Sequence, residues 1–296
     1  MMKLNDGSMK PPRLEIVQSW WGMIGVGDGE REWTVEEKFE KLAEQGYTGI
    51  LGRFPLPIEA DTWRRMLDDY KFSFGVHCFP YRREDLQSFY EQVQVVGADF
   101  VNCHIMNNFV VGRAAETLIR DLIDEAKGYS IPFFVETHRG RVTQDLHRTV
   151  DYVNAIPDLR LTIDLSHYAL AGEMEHISEQ ASELFDRLLR RTSCIHGRIS
   201  NGQQIQVDIG PNAEHPLVES YTNLWSKGMA YWLEQADPGD ILPVLPELGP
   251  PNYAITSDSY IYGGQHRQEI SDRWQQALII KNLFFKAWDA VAANIP

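Results

Sequence analysis

Residues 132–139, PFFVETHR, and 159–167, LRLTIDLSH, decide the fold. Each is a short apolar run, rich in aromatic or β-branched residues, that ends in a carboxylate, Glu136 in the first and Asp164 in the second, with a histidine close behind. Such runs read as strands. Working outward in both directions, the same reading finds eight: Leu14–Trp20, Tyr47–Arg53, Phe72–Cys78, Phe100–Ile105, Pro132–Thr137, Leu159–Leu165, Cys194–Ile199 and Ile241–Pro246. Between them lie segments with apolar residues at helical spacing, such as Phe39, Leu42 and Ala43, or Leu118, Ile119, Leu122 and Ile123. The first helix opens on Thr34 with Glu37 three residues on, a pairing that ties up free N–H groups at a helix start. Strand starts lie 25 to 47 residues apart, about what one βα unit needs. Eight such units close on themselves, so the expected fold is α/β, a single (β/α)8 (TIM) barrel over 14–296 behind an N-terminal tail at 1–13. A doubly wound sheet would want a glycine-rich phosphate turn; the sole candidate, Gly25 and Gly27, has Glu30 where the third glycine belongs.

With 43% hydrophobic and 24% charged residues over 296 positions, the chain has the composition of a folded protein with a sizeable core. Lys and Arg number 28 against 42 Asp and Glu, a net charge of -14, and a field of that sign opposes wrapping a polyanion. Neither nucleic acid nor a membrane is therefore an expected partner. No stretch approaches the ~20 apolar residues of a membrane span, and the opening MMKLNDGSMKPPRLE lacks the apolar centre of a secretory signal, so the expected location is cytoplasmic. Cys78, Cys103 and Cys194 are odd in number and each sits in an apolar run, which suits buried thiols rather than disulfides.

In such a barrel the loops at the carboxyl ends of the strands build the site. The third strand ends in Val-His77-Cys, the fourth in Asn102-Cys-His104, the fifth in Glu136-Thr-His138-Arg139. The sixth ends in Asp164-Leu-Ser-His167, the seventh in His196-Gly-Arg198, the eighth in Pro-Glu247. Glu136, Asp164, His196 and Glu247 thus stand on four consecutive strands at similar depth. Three carboxylates that close cannot all stay ionised in a desolvated pocket without a cation. Three oxygens and one imidazole suit one fairly hard divalent metal ion, Mn²⁺ first, with Co²⁺, Mg²⁺ or Zn²⁺ as the other candidates. Taken singly, each residue is equally well a polar strand end capped by its loop; the ordered set of four carries the reading. His77, His104, His138, Arg139 and Arg198 surround it as candidates for binding sugar hydroxyls or a carboxylate, and Trp20 and Trp21 offer aromatic faces for a sugar ring or for core packing. The segment from Gly249 to Glu269 exceeds a minimal loop, with Tyr260, Tyr262, Gly263, Gly264, His266 and Arg267 as a candidate glycine-hinged lid.

These residues, in this order, resemble the xylose isomerase-like TIM barrels, which include ketose 3-epimerases, inosose-processing enzymes and the endonuclease IV branch. The resemblance runs along essentially the whole chain in strand order and is specific in VETHRGR (135–141), TIDLSHY (162–168), CIHGR (194–198) and LPELGP (245–250). It implies metal ligands at Glu136, Asp164, His196 and Glu247 and a substrate-binding role for His167. Ketose 3-epimerases carry a further substrate-binding glutamate six residues beyond the strand-five ligand; Val142 stands there, so their substrate orientation does not carry over. The Asp-x-His of the endonuclease IV branch becomes Asp208-Ile-Gly210, so one ligand of a third ion is missing, although His77, His104, His167 and Asp208 are available to a second or third ion.

The expected activity is that of a metal-dependent sugar isomerase or epimerase acting on a keto-sugar or ketose through an enediolate, with Glu136 and Glu247 as base on one face and acid on the other. Substrate contacts are expected from His167, Arg198, His104, His77 and Trp20. Loss of hydroxide from the enediolate makes the same site a keto-sugar or inosose dehydratase, which is the alternative. A zinc phosphodiesterase of the endonuclease IV kind and a non-catalytic sugar-binding barrel are more distant rivals. The expected partner is a small-molecule sugar, with assembly into a homo-oligomer left open.

Overall fold

The computed structural model describes residues 3–261 and 264–293. A two-residue strand, β1 (Leu4–Asn5), precedes eight barrel strands: β2 (Arg13–Ser19), β3 (Gly49–Gly52), β4 (Ser73–Cys78), β5 (Phe100–Cys103), β6 (Phe133–Glu136), β7 (Leu161–Asp164), β8 (Thr192–Gly197) and β9 (Asp240–Pro246). Consecutive barrel strands pair in parallel, and β9 pairs with β2 from Arg13 opposite Ile241 to Ile16 opposite Val244, which closes the ring. All eight expected strands are present, most of them trimmed at the ends. The trimming has local causes. The run expected at Leu159–Leu165 is a strand only over Leu161–Asp164, because the Asp164 carboxylate turns to accept the Ser166 N–H and so starts a helix.

Helices fill the intervals: α1 (Val35–Glu44), α2 (Ala60–Tyr70), α3 (Asp85–Val96), α4 (Gly112–Ala126) and α5 (Leu146–Ala155) follow β2 to β6 in turn. Two helices, α6 (Leu165–Ala171) and α7 (Glu179–Leu189), follow β7, then α8 (Leu217–Leu233) follows β8 and α9 (Arg273–Ala292) ends the described chain. The Thr34–Glu37 capping box at α1 forms as expected, with both reciprocal hydrogen bonds made. The segment after β9 contains an antiparallel hairpin of β10 (Thr256–Ile261) and β11 (Gly264–Glu269), while Tyr262 and Gly263 of the candidate lid lie outside the described residues. The three cysteines are free and buried. Among the described residues no helix is long and apolar enough to cross a membrane.

Inside the ring, side chains alternate in layers because successive strand residues face opposite sides. Phe100, Phe134, Cys194 and Leu245 form an apolar layer with Val17 and Leu51, and Leu4 of β1 joins the same cluster beside Ile241. Gly75 makes room for it: a Cβ there would lie 2.3 Å from Phe100 Cζ. Two residues further along the same strands stand Asn102, Glu136, His196 and Glu247, all buried. Apolar filling below and polar groups above is thus a direct result of strand periodicity, and it lifts the chemistry to the carboxyl end.

Glu15 on β2 is a half-buried carboxyl away from that end, accepting from Ser73 Oγ at 2.9 Å. Burial pushes it from an ordinary 4.5 up to about 7, against the help of the Ser73 hydroxyl and Arg13. The folded chain therefore keeps a proton that the unfolded chain has already lost, so stability falls as pH rises through that interval and the penalty is complete above it. Glu15→Gln is expected to remove this slope and to stabilise the protein by about 1–3 kcal/mol at pH 8, with little effect at pH 4. Urea titrations at the two pH values check it; equal effects at both would place the proton elsewhere.

Candidate active site at the carboxyl ends of the strands

Glu136, Asp164, His196 and Glu247 each present a ligand atom, and these four atoms lie within 4.8 Å of one another. All four residues are buried. Their strands meet in register: Asp164 is opposite His196 across β7 and β8, and His196 is opposite Leu245 across β8 and β9, two residues short of Glu247. Two further groups share Glu136 under the same distance limit, one with His77 and His104, the other with His138 and His167. Asp208 belongs to none of these groups; it is exposed and accepts the Gly210 N–H at 2.7 Å.

The charges compensate one another. Burial alone would raise the Glu136 carboxyl, but the imidazoles of His104 and His196 outweigh it and hold Glu136 well below the usual carboxylate range. Glu247 is balanced in the same way, burial opposing and His196 prevailing, and sits at about 2. Asp164 goes the other way: burial raises it despite the Arg198 guanidinium alongside. Burial works against the His196 cation too, yet Glu247 and Glu136 raise it well above an ordinary histidine, its Nδ1 lying 3.1 Å from Glu247 Oε2 and 3.7 Å from Glu136 Oε2.

Around this centre the hydrogen bonds fix ring tautomers. Arg198, itself 1% exposed, donates from Nη2 to Asp164 Oδ2 and, at 3.3 Å, to Glu247 Oε2, and from Nε to Ser166 Oγ at 2.9 Å. The same Nη2 lies 3.0 Å from His167 Nε2, which must accept, so the His167 proton sits on Nδ1, buried and without a protein partner. Burial, with His138 and Arg198 nearby, keeps His167 neutral. His138 donates from Nδ1 to the Arg139 carbonyl, leaving the lone pair on Nε2, and burial lowers it to about 3. His77 is lowered to about 4, chiefly by burial and then by His104.

A cavity of about 920 Å³ opens above these groups, reaching from Glu136 and Glu247 out to Trp33 and Phe54. His77, His104, Arg198 and Trp20 line it, whereas His167 is not among the lining residues described and packs against His138, their ring centroids 3.7 Å apart. Trp20 is mostly buried, its ring edge-on to Trp63 at 4.6 Å, and Trp21 packs edge-on against Tyr253 at 4.9 Å.

Three contributors were not among the residues the sequence singled out for roles. Asn102 donates to Glu136 Oε2 at 2.5 Å and to His77 Nδ1 at 3.1 Å, tying two walls together. Its position on the inward set of β5, opposite His77, is a signal that strand periodicity offers. Ser166 bridges Asp164 and Arg198 through its hydroxyl. Tyr253 lies in the irregular stretch after β9, with Arg198 Cζ 5.1 Å and Arg139 Cζ 5.0 Å from its ring centre, and no periodicity in sequence points to it.

A closed (β/α)8 ring with carboxylates and imidazoles gathered at the carboxyl ends of its strands has the layout of a barrel enzyme. The chain belongs to the xylose isomerase-like TIM barrel family, whose match spans residues 39–197, more than half of its length. No curated protein matches the sequence. Solved structures share the fold: a probable 3-DHS dehydratase, AsbF, from Bacillus anthracis, at TM-score 0.58 and 11% identity, covering 91% of this chain and 98% of that one. An AP endonuclease, family 2, from Brucella melitensis follows at TM-score 0.50 and 15% identity, over 78% of this chain and 92% of that one.

Proposed function

We propose that the protein is a divalent-metal-dependent isomerase or epimerase of a keto-sugar or ketose, in which Glu136, Asp164, His196 and Glu247 hold the metal and Glu136 and Glu247 move the proton. The observation that carries this reading is the convergence of three carboxylates and an imidazole within 4.8 Å under a cavity. The donor set suits a fairly hard ion such as Mn²⁺, and Glu136 Oε1 is buried without a hydrogen-bond partner, as an unused ligand atom would be. When bound, such an ion supplies Lewis acidity, steadying the negative charge on a ketone oxygen as the neighbouring carbon loses its proton. Glu136 and Glu247 reach the centre from β6 and β9: the one that is ionised in the substrate complex would take the proton, and the other, having picked up a proton on substrate binding, would return one from a different side. Arg198 Nη1 is a buried donor without a partner on the cavity lining and is suited to orienting substrate hydroxyls, with His104, His77 and Trp20 on the same lining; His167, which does not line the cavity, would act on substrate through Arg198, its Nε2 lying 3.0 Å from Arg198 Nη2.

A dehydratase is the second reading, because the same residues would serve it: one glutamate would take the proton and the other, in its protonated form, would give its proton to the departing hydroxide. Incubating the protein with a panel of ketoses and keto-sugar acids in D2O tests both readings: deuterium uptake next to the carbonyl is expected, and the product separates inversion, carbonyl shift and loss of water. No uptake from any of them would end this proposal.

Metal binding is expected to be visible in stability. At about 1,000 times its Kd, Mn²⁺ should add about 4 kcal/mol, or roughly 8 °C in melting temperature. Asp164→Asn, which retains a side chain able to cap α6, should lose most of that response. A melting curve indifferent to Mn²⁺, Co²⁺, Mg²⁺ and Zn²⁺ would contradict the metal assignment.

A further inference from the structure

Among the described residues, four Lys and Arg side chains line the cavity: Lys38, Arg53, Arg141 and Arg198. Three of them are already neutralised by carboxylates of the same region. Lys38 pairs with Glu32, Arg53 with Glu59 at 2.7 Å, and Arg198 with Asp164 and Glu247. Arg141 has no acidic partner among the described residues, in a chain where 42 acidic residues outnumber 28 Lys and Arg. It is half-buried, its guanidinium lies 6.0 Å from the Phe79 ring centre, and one hydrogen bond, Nη1 to the Gly140 carbonyl at 3.0 Å, holds it in place. Its Nε is buried without a partner. What remains is one guanidinium edge, Nε with Nη2, anchored from the other side and beside an aromatic ring.

We infer that Arg141 is the anchor for a carboxylate on the substrate, so that the molecule the cavity takes is a polyhydroxy acid rather than a neutral sugar. The physical basis is fit and charge. A planar Nε–Nη2 edge matches the two oxygens of a carboxylate, and a desolvated cation without a partner gains most from a monoanion delivered into the same pocket. A phosphate dianion fits less well, since among the described residues no second unpaired cation lines the cavity to meet its second charge. The acid group would sit next to His138 and Phe79, which places the polyol portion of the molecule toward Glu136 and the metal-ligand cluster. This inference rests on reading the cavity as the substrate site.

The test is equilibrium binding to the Mn²⁺-loaded protein, by calorimetry, of D-gluconate, of neutral D-glucitol and of D-glucitol 6-phosphate. Gluconate is expected to bind at least about tenfold more tightly than glucitol, with Arg141→Gln bringing the two to parity and Arg141→Lys keeping part of the difference. Parity in the unaltered protein, or no binding of either compound, overturns the assignment. So does a preference that survives Arg141→Gln, because the carboxylate is then held by the metal or another cation. Tighter binding of the phosphate ester than of gluconate would also overturn it. Turnover is not needed for any of these outcomes: absence of deuterium exchange with an intact Arg141-dependent preference would sink the proposed chemistry and leave the carboxylate site standing.

Discussion

Glu247→Gln is expected to cut proton exchange next to the substrate carbonyl by about 10²–10⁴-fold while leaving the barrel folded. The amide keeps the shape of the carboxyl and an oxygen for a cation, and the backbone of residue 247 stays tied by its own N–H to the Gly197 carbonyl at 3.0 Å. What is lost is the ability to accept a proton, which the carboxylate, held at about 2, has at any working pH. The check is single-turnover exchange in D2O, with metal content measured on the same sample. Exchange near the unaltered rate, with metal retained, would mean that the proton is taken elsewhere, Glu136 being the remaining carboxylate held in its ionised form.

Arg198→Met should destabilise the metal-free protein by about 3–5 kcal/mol, because it strips a buried cation from the fully buried Asp164 and the largely buried Glu247. Arg198 is 1% exposed and donates to both Asp164 and Glu247, and its Nε also holds Ser166, the residue that steadies the other oxygen of Asp164. Methionine fills much of the volume without the charge, so the loss would be electrostatic rather than a cavity. Adding Mn²⁺ should recover a large part of it, since a divalent ion neutralises the same oxygens. Urea unfolding with and without metal measures both quantities; a loss under about 1 kcal/mol would mean that the carboxylates do not depend on the guanidinium. An unchanged fold with a raised KM would instead leave Arg198 its other role, positioning substrate through Nη1.

Sequence by itself determined the ring and the depth at which its polar residues stand. Eight apolar runs spaced by helical segments admit few arrangements, and period-two alternation along the chain then puts Glu136, His196 and Glu247 one step above an apolar layer, with Asp164 one step above Thr162. That is local information, carried within each βα unit. Which proton sits where was decided by tertiary structure, because it depends on pairs distant in the chain: Asn102 with Glu136, Arg198 with His167 and Asp164, His196 with Glu247. The same holds for Tyr253, brought over the Arg139 and Arg198 guanidiniums by a loop with no pattern to read, and for Arg141, whose lack of a carboxylate partner is a property of everything packed near it. Strand periodicity fixes direction and depth residue by residue, whereas charge balance and tautomer are sums over neighbours that only the closed barrel assembles.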